Sequence, residues 1–376
     1  MWKNAFKFMI YDKAKFFGIL FGVVISIFLV GAQLGLLNGL LENSIGITKG
    51  NTEYLFVVNK KSTSATSLIN IDKRVGNELQ SIEGVEKVYP VIITMGTAKF
   101  KSGANGMLSI VGVQYPDFVG SPKDYLPNTN LNDLQNEGAV IVDNADLENM
   151  ENVKVGDYFT INDQRVYVSG ISVNNAGMGQ ANTITTIDRA RKLSGFSPNQ
   201  VSAYMVKTNS TDPIINKQIA DRITKTIPTV KGATGADYME ESLEYVKKAS
   251  GIMISFMVLV GFALFTGLII VGLTMYSSVN DRIKDYGTVK AIGGSNGFII
   301  KLILLQSVLY AIIAFIIAMA LLLGINVMMT AANQGLIFTP NLILFLVSTT
   351  LIICLIGSYF SLRKILKLEP VQIFRM

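Results

Sequence analysis

Few residues in this chain have the types and spacing that catalysis or metal binding requires. Histidine is absent from all 376 residues, which removes the usual general base, proton shuttle and imidazole metal ligand. Cys354 is the single cysteine; it lies in an apolar run without a disulfide or metal partner, so we expect it to pack. No G-x-x-x-x-G-K-[ST] phosphate loop, H-E-x-x-H or C-x-x-C motif occurs. The sequence predicts no catalytic residues, no metal site and no enzyme activity in this chain.

The most specific segment lies between two apolar runs, at residues 280–301. Its charges and its closing glycine pair are typical of a short amphipathic helix. From these residues alone, a solvated connector and a docking element for a partner are equally open. A second short element follows near the C-terminus, where Pro370 stands at a helix start beside Glu369 and Arg375. The residues singled out in the first segment are Asp281, Arg282, Lys284, Asp285, Gly287, Lys290, Ala291, Gly293 and Gly294.

Long apolar runs must position these segments. Half of the chain is hydrophobic and only 16% is charged, whereas a soluble protein of this size is about a quarter charged. Each run approaches or exceeds the roughly 20 residues that cross a bilayer. The first is too long for a signal peptide, so we expect a retained helix. The predicted transmembrane helices span residues 16–41, 249–279, 302–325 and 342–362.

The distribution of Lys and Arg predicts the orientation of these helices. Residues 1–15, the loop 280–301 and the tail 363–376 are basic, whereas the loop 326–341 has no charged residue. The positive-inside rule therefore places both termini and the 280–301 loop in the cytoplasm, and residues 42–248 outside. We expect a multi-pass protein of the bacterial inner (plasma) membrane. Residues 1–15 are either an interfacial helix or an extension of the first span.

Residues 42–248 read as a folded domain inserted between the first and second spans. Strand and helix signals alternate along it, which predicts an α+β domain of two lobes. A small β lobe is expected at about 137–175, with a turn at Asn162 and Asp163. Helical spacing covers Ile71–Ile82, with Asp72 near its start. The predicted fold class is four transmembrane α-helices with this extracytoplasmic domain.

The first span carries a glycine at nearly every fourth residue. Such a stripe lets another helix approach closely. Two interpretations stay open, packing within one subunit and a contact between two subunits. Gln33 is the clearly polar side chain of this span, and it either bonds another helix or lies on a substrate path. The stripe consists of Gly18, Gly22, Gly31, Gly35 and Gly39.

The spans contain no Asp, Glu, Lys or Arg in their hydrophobic cores. Ion-coupled carriers need such groups, so any energy for transport is expected from another subunit. The net charge of +6 forms no dense basic stripe, which argues against nucleic acid as a partner.

These segments resemble the permeases of the MacB and FtsX class of ABC transporters. That family has a loop of the form E-R-x-x-E-I-G-x-x-x-A-x-G-A, which Asp281–Gly294 resembles with Asp for Glu and Tyr286 for the aliphatic residue. Its closing D-P-x-E-A-x-R is similar to Glu369–Arg375. The DevC-type branch is indicated by Asp12–Lys15, Gly31–Leu36 and Glu53–Val58, which together resemble the start of its permeases.

The resemblance implies a homodimeric permease subunit of an exporter in the lipid bilayer. The segment Asp281–Gly294 would be a coupling helix that docks into a separate ABC ATPase, and that ATPase would bind ATP and magnesium. This chain would bind no cofactor itself. ATP-driven closure would move the outer domains by mechanotransmission and expel a lipid-like or amphiphilic substrate. In cells with two membranes, a periplasmic adaptor and an outer-membrane channel would join the assembly.

Three other interpretations remain. An FtsX-like regulator of a cell-wall hydrolase shares the four spans and the ATPase. A haem or lipoprotein permease of the same class has a related build. A membrane-tethered binding protein or sensor without an ATPase would leave the Asp281–Gly294 pattern unexplained.

Overall fold

The computed structural model describes residue 6 and residues 9–173, 181–248, 251–291, 293–331 and 335–366. The chain forms two units. The membrane unit comprises Met1–Asn38, Ile254–Met328 and Leu336–Met376, and the inserted domain comprises Gly39–Met253 with Met329–Gly335.

The described residues form helices and strands that we number in chain order. The helices are α1 (Lys13–Asn43), α2 (Val75–Gln80), α3 (Ile187–Ser194), α4 (Pro213–Thr226), α5 (Gly235–Lys248), α6 (Ile252–Asp281), α7 (Ile283–Ala291), α8 (Asn296–Ala331) and α9 (Pro340–Leu366). The strands are β1 (Leu55–Asn59), β2 (Ile71–Asp72), β3 (Val85–Lys99), β4 (Asn105–Val113), β5 (Ala139–Asp143), β6 (Tyr158–Ile161), β7 (Gln164–Ser172), β8 (Ala181–Thr186), β9 (Gln200–Val201), β10 (Ala203–Thr208) and β11 (Val230–Thr234).

Four of these helices are long and apolar enough to cross a membrane, namely α1, α6, α8 and α9. At all ends but one they run beyond the predicted spans, because hydrophobicity marks the stretch inside the bilayer whereas the helical hydrogen bonds continue past it; α6 instead begins at Ile252, after the predicted start at residue 249. The helix α8, for example, begins at Asn296, six residues ahead of the predicted start at Leu302. The chain therefore has four transmembrane helices, with an α+β domain between the first and the second.

The inserted domain is built on one long strand. The strand β3 spans 15 residues; its first half pairs with β10 and its second half with β4. The sheet order is β11-β1-β10-β3-β4-β8-β5-β7-β6, and β6 pairs back onto the end of β3. Six strands, β3, β4, β8, β5, β7 and β6, thus close into a ring. The strands β1, β10 and β11 continue from β3 as an open sheet.

This closure changes the predicted small β lobe at 137–175. The strands β5, β6 and β7 form there as expected, with a hairpin turn in which Asn162 and Asp163 both have positive φ. They are nevertheless part of a ring completed by β3, β4 and β8. The two lobes share the strand β3. The sequence could not show this, because strands that are distant in the chain supply the ring.

Apolar clusters fill both faces of the sheet. Alternate residues of β3 and β4 enter opposite clusters: Ile92 and Ile110 lie inside the ring, whereas Val91 and Val111 lie in the cluster on its other face. A third cluster lies under the helices α2 and α4. This alternation is the two-residue period of a strand with both faces buried.

The predicted helix over Ile71–Ile82 is shorter than expected. Ile71 and Asp72 pair with β9 as a strand, and the helix covers only Val75–Gln80. The carboxylate of Asp72 accepts the backbone N–H of Arg74 at 2.8 Å, which turns the chain before the helix begins. Asp72 therefore marks a side-chain-bonded turn and not a helix start.

Candidate functional site

The segment that the sequence singled out is a short helix with two sharp boundaries. The long helix α6 ends at Asp281, and α7 covers Ile283–Ala291. Beyond it, Gly293 has a φ of +94°, a left-handed conformation that favours glycine and ends helices. Ser295 then caps α8, because its hydroxyl accepts the backbone N–H of Phe298 at 3.2 Å. These features separate α7 from α8.

One face of α7 is anchored in the membrane unit by an aromatic residue. Tyr286 is only 2% exposed and packs with Val279, Ile299 and Leu302. Burial raises the pKa of Tyr286 to about 12. The phenol therefore stays neutral at physiological pH. The sequence analysis treated Tyr286 as a deviation from a family pattern and did not predict that it anchors α7.

The opposite face of α7 is solvent-accessible. Asp285 and Thr288 in α7 are exposed, and their spacing of three residues puts them on one stripe of that helix; Asp281, at the end of α6, is exposed as well. Among the described residues, Asp285 makes no ion pair within 4.0 Å. Gly293 is exposed and Gly294 is half-buried at the end of the segment. For Lys284, Lys290 and Ala291 the structure describes only their place in the helix.

The N-terminal end of α1 contacts the junction between α6 and α7. Lys15 forms an ion pair with Asp281 and a second one, at 3.5 Å, with Asp12. The guanidinium of Arg282 lies 5.0 Å from the ring centre of Tyr11, within range of a cation–π interaction. Two charges that the sequence placed on one docking face therefore also contact the same chain, Asp281 at the first transmembrane helix and Arg282 just ahead of it.

The glycine stripe of α1 contacts other parts of the same chain. A Cβ built on Gly22 would lie 2.5 Å from Cγ2 of Ile270 in α6, and one on Gly31 would lie 2.5 Å from Cδ1 of Leu322 in α8. Gly18 has a looser contact with α6, at 3.5 Å. The remaining two face the connection between α8 and α9, Gly35 at Leu336 and Gly39 at Gly335.

A serine and a glycine complete the contact between α1 and α6. The hydroxyl of Ser26 donates to the carbonyl of Ala263 at 2.6 Å, and a Cβ on Gly267 would lie 2.1 Å from that hydroxyl oxygen. Small residues on both helices therefore allow close approach, as membrane helices require. The stripe thus packs against its own chain, and a contact between two subunits stays a prediction.

Other predicted site residues are less engaged or lie outside the described residues. Gln33 is half-buried and makes no hydrogen bond to another described residue, whereas Asn38 on the same helix donates to the carbonyl of Ile337 at 3.2 Å. The C-terminal motif Glu369, Pro370 and Arg375 lies outside the described residues, as do most of residues 1–8.

Metal and nucleophile chemistry find no support in the part of the chain that the structure describes. No group of three or more Cys, Asp or Glu side chains lies close enough there to hold a metal ion. The run Gly293–Gly297 has the G-x-S-x-G spacing of a nucleophile elbow, but its serine caps α8 and no histidine exists to activate it.

Two known protein families match this chain. Residues 16–226 match the MacB-like periplasmic core domain, and residues 257–370 match the FtsX-like permease C-terminal domain. The chain belongs to the MacB/FtsX class of ABC transporter permeases. The second match contains the whole of α7, so Asp285 and Tyr286 both lie within the region that matches the FtsX-like permease domain.

Individual relatives are distant. An uncharacterized ABC transporter permease of Methanocaldococcus jannaschii is 24% identical over 234 residues, which is 59% of this permease and 58% of the relative. The permease thus spans less than two thirds of that relative's length.

Solved structures of extracellular regions also resemble this permease. The extracellular domain of the noncanonic ABC-type transporter YknZ from Gram-positive bacteria is 17% identical, with a TM-score of 0.35 over 48% of this chain and 98% of that one. The periplasmic region of MacB from Actinobacillus actinomycetemcomitans is 13% identical, with a TM-score of 0.40 over 52% and 94% of the respective chains.

Proposed function

We propose that this permease is the membrane subunit of an ATP-driven exporter of a lipid-like or amphiphilic substrate, of the DevC-like branch. Two copies would pair, and each would seat α7 on a separate cytoplasmic ABC ATPase that binds ATP and magnesium. The bacterial inner membrane would hold the complex with both termini in the cytoplasm and the inserted domain outside. Where a second membrane exists, an adaptor and an outer-membrane channel would extend it.

The observation that carries this proposal is the two-sided character of α7. Tyr286 fixes one face in the membrane unit, while Asp285 is exposed on the surface of the same helix. A short helix that is anchored on one side would pass a push from its other side to the membrane unit. Asp285 is the carboxylate on this face without an ion-pair partner among the described residues, so it is the one best suited to meet a basic group of an ATPase.

The ion pair between Lys15 and Asp281 gives such a push a route to the first transmembrane helix. The helix α1 continues without a break to Asn43, where residues of the inserted domain follow directly. Movement of α7 would therefore reach the inserted domain through α1 as well as through α6. This is mechanotransmission, in which work crosses the membrane and no ionisable residue inside the spans is needed.

The proposal is tested by one charge reversal with a matched control. The ATPase is the Walker-motif protein that co-purifies with the permease from its native cells, and its hydrolysis is measured with and without the permease in nanodiscs. Asp285→Arg is expected to lower the stimulation about tenfold, the loss from roughly 1.4 kcal/mol of docking energy. Glu240→Arg makes the same charge change on an exposed position of the inserted domain and is expected to leave stimulation unchanged.

Equal stimulation by both variants and the wild type would contradict docking through α7. If no ATPase co-purifies and none is stimulated, a sensor without an ATPase becomes the better interpretation.

A further inference from the structure

A cavity of about 310 Å³ lies within the inserted domain. Its floor is the face of β3, β4 and β8 that points away from the interior of the strand ring. Protein interiors leave few voids larger than a water molecule, and ligand pockets begin at about 300 Å³. The cavity is therefore at the lower end of the size that binds a small molecule or one chain of a larger one.

The strand register sorts the floor into two parallel rows of different chemistry. Ile93 pairs with Val111 and Val111 with Ile184, which gives an apolar row across three strands. Two residues along each strand, Met95 pairs with Ser109 and Ser109 with Asn182, which gives a row of thioether, hydroxyl and amide groups. Successive same-face residues of a strand are about 7 Å apart, so both rows fall within one ligand.

The cavity is bounded by residues next to the membrane helix. Asn43 is the last residue of α1, and it lines the cavity together with Gly46 and Ile47. Asn43 lies within two residues of the end of the predicted first span at Leu41. No Asp, Glu, Lys or Arg is among the described residues that line the cavity. The absence of charge in the lining excludes an ion pair as the basis of recognition there.

We infer that this cavity binds a single alkyl or acyl chain with an adjoining uncharged polar group, drawn from the outer leaflet of the membrane. The chain would lie on the apolar row Ile93–Val111–Ile184, and a hydroxyl, ester or amide would meet Ser109 and Asn182. This inference rests on the proposed export of an amphiphile and names the part of the substrate that the inserted domain recognises. A charged headgroup would remain outside the cavity.

The test uses the full-length permease in nanodiscs without ATPase or nucleotide. The probe is an uncharged monoacylglycerol with a diazirine in its acyl chain, supplied either within the bilayer or from water after the nanodiscs have formed. Irradiation is followed by mass spectrometry of the labelled peptides. We expect labels on peptides that contain Ile93, Val111 or Ile184, and stronger labelling from the probe in the bilayer.

Two methionines provide a matched pair of variants. Met95 at the cavity rim is 57% exposed, and Met107 on the neighbouring strand β4 is 58% exposed but does not line the cavity. Met95→Glu is expected to lower labelling about tenfold, because a carboxylate beside an acyl chain loses hydration without gaining a partner. Met107→Glu is expected to label like the wild type. Ile93→Trp fills the cavity without adding charge and is expected to lower labelling as well.

Labels confined to the transmembrane helices, or an equal loss in Met95→Glu and Met107→Glu, would overturn the inference. Because the assay needs no ATPase, it separates this inference from the proposed function. A permease that stimulates its ATPase but takes no probe into the cavity loses only the inferred site. A cavity that is labelled in a permease without ATPase stimulation is a lipid site in a protein of another function.

Discussion

The inserted domain and the membrane unit expose different kinds of side chain. In the inserted domain, ion pairs such as Lys123–Glu53 at 2.7 Å and Arg222–Glu83 at 2.9 Å lie on the exposed surface. Exposed pairs of this kind contribute at most about 1 kcal/mol each. In the membrane unit, large apolar residues such as Phe262 and Leu273 are exposed, whereas Ser26 and Tyr286 are buried.

This difference follows from the solvent around each unit. Water drives the apolar faces of the inserted domain's sheet together, so its stability comes from buried area. Lipid is as apolar as leucine, so the membrane helices gain little from burying apolar side chains and depend on close contact and a few hydrogen bonds. We therefore expect the membrane unit to be sensitive at small residues and the inserted domain at large ones.

The largest expected effect is at Gly267 in α6. Gly267→Leu would force α1 and α6 apart, because even a Cβ at this position lies 2.1 Å from the hydroxyl oxygen of Ser26. We expect the free energy of unfolding to fall by about 3 kcal/mol, the upper range for overpacking a core. The measurement is the midpoint of thermal unfolding in detergent, monitored by circular dichroism.

Gly261 on the same helix provides the control. A Cβ built there has no neighbouring atom within 4 Å, so Gly261→Leu is expected to keep the wild-type midpoint. Equal midpoints for the two variants would show that close approach of α1 and α6 is not what stabilises the membrane unit.

A smaller effect is expected at two buried tyrosines, one in each unit. Tyr204 in β10 donates its hydroxyl to the carbonyl of Lys73 at 2.8 Å, and burial raises its pKa to about 12. Tyr286 is buried to the same degree in the membrane unit, with the same pKa of about 12. Replacing either by Phe is expected to lower the free energy of unfolding by about 1 kcal/mol.

The two variants should differ in function. Tyr286→Phe is expected to lower ATPase stimulation as well, since Tyr286 anchors α7, whereas Tyr204→Phe should change stability alone. ATPase stimulation measured in nanodiscs checks this difference. An unchanged value for Tyr286→Phe would show that Tyr286 acts through packing alone.

The sequence predicts the membrane unit better than it predicts the inserted domain's topology. Uncharged runs of sufficient length leave almost no choice but helices in a bilayer, and all four appear in the structure. Local strand signals such as those at Val85–Lys99 are also confirmed. The closing of β6 onto β3 depends on pairing between residues more than 50 positions apart, on which local patterns carry no information.

The candidate site shows the same limit at the level of single residues. The charges of this segment predict an amphipathic helix, and the structure exposes the side chains of Asp281 and Asp285. The burial of Tyr286 against α8 and the pairing of Asp281 with Lys15 depend on how separate helices pack. Charge in the sequence could not separate a residue that meets a partner from one that binds its own chain.

The smallest expected effect on stability is at the ion pair between Lys15 and Asp281. The Lys15 side chain is 20% exposed and that of Asp281 is 55% exposed, so breaking the pair by Lys15→Asp should change the free energy of unfolding by at most about 1 kcal/mol. ATPase stimulation is nevertheless expected to fall about fivefold, because that energy is what links α7 to α1.

The exchanged pair Lys15→Asp with Asp281→Lys should recover most of the stimulation. Exchanging Glu42 and Lys49, a 2.9 Å pair of the inserted domain, should leave stimulation unchanged. If the exchanged Lys15–Asp281 pair stimulates no better than Lys15→Asp alone, the two residues act separately and α1 receives its motion only through packing.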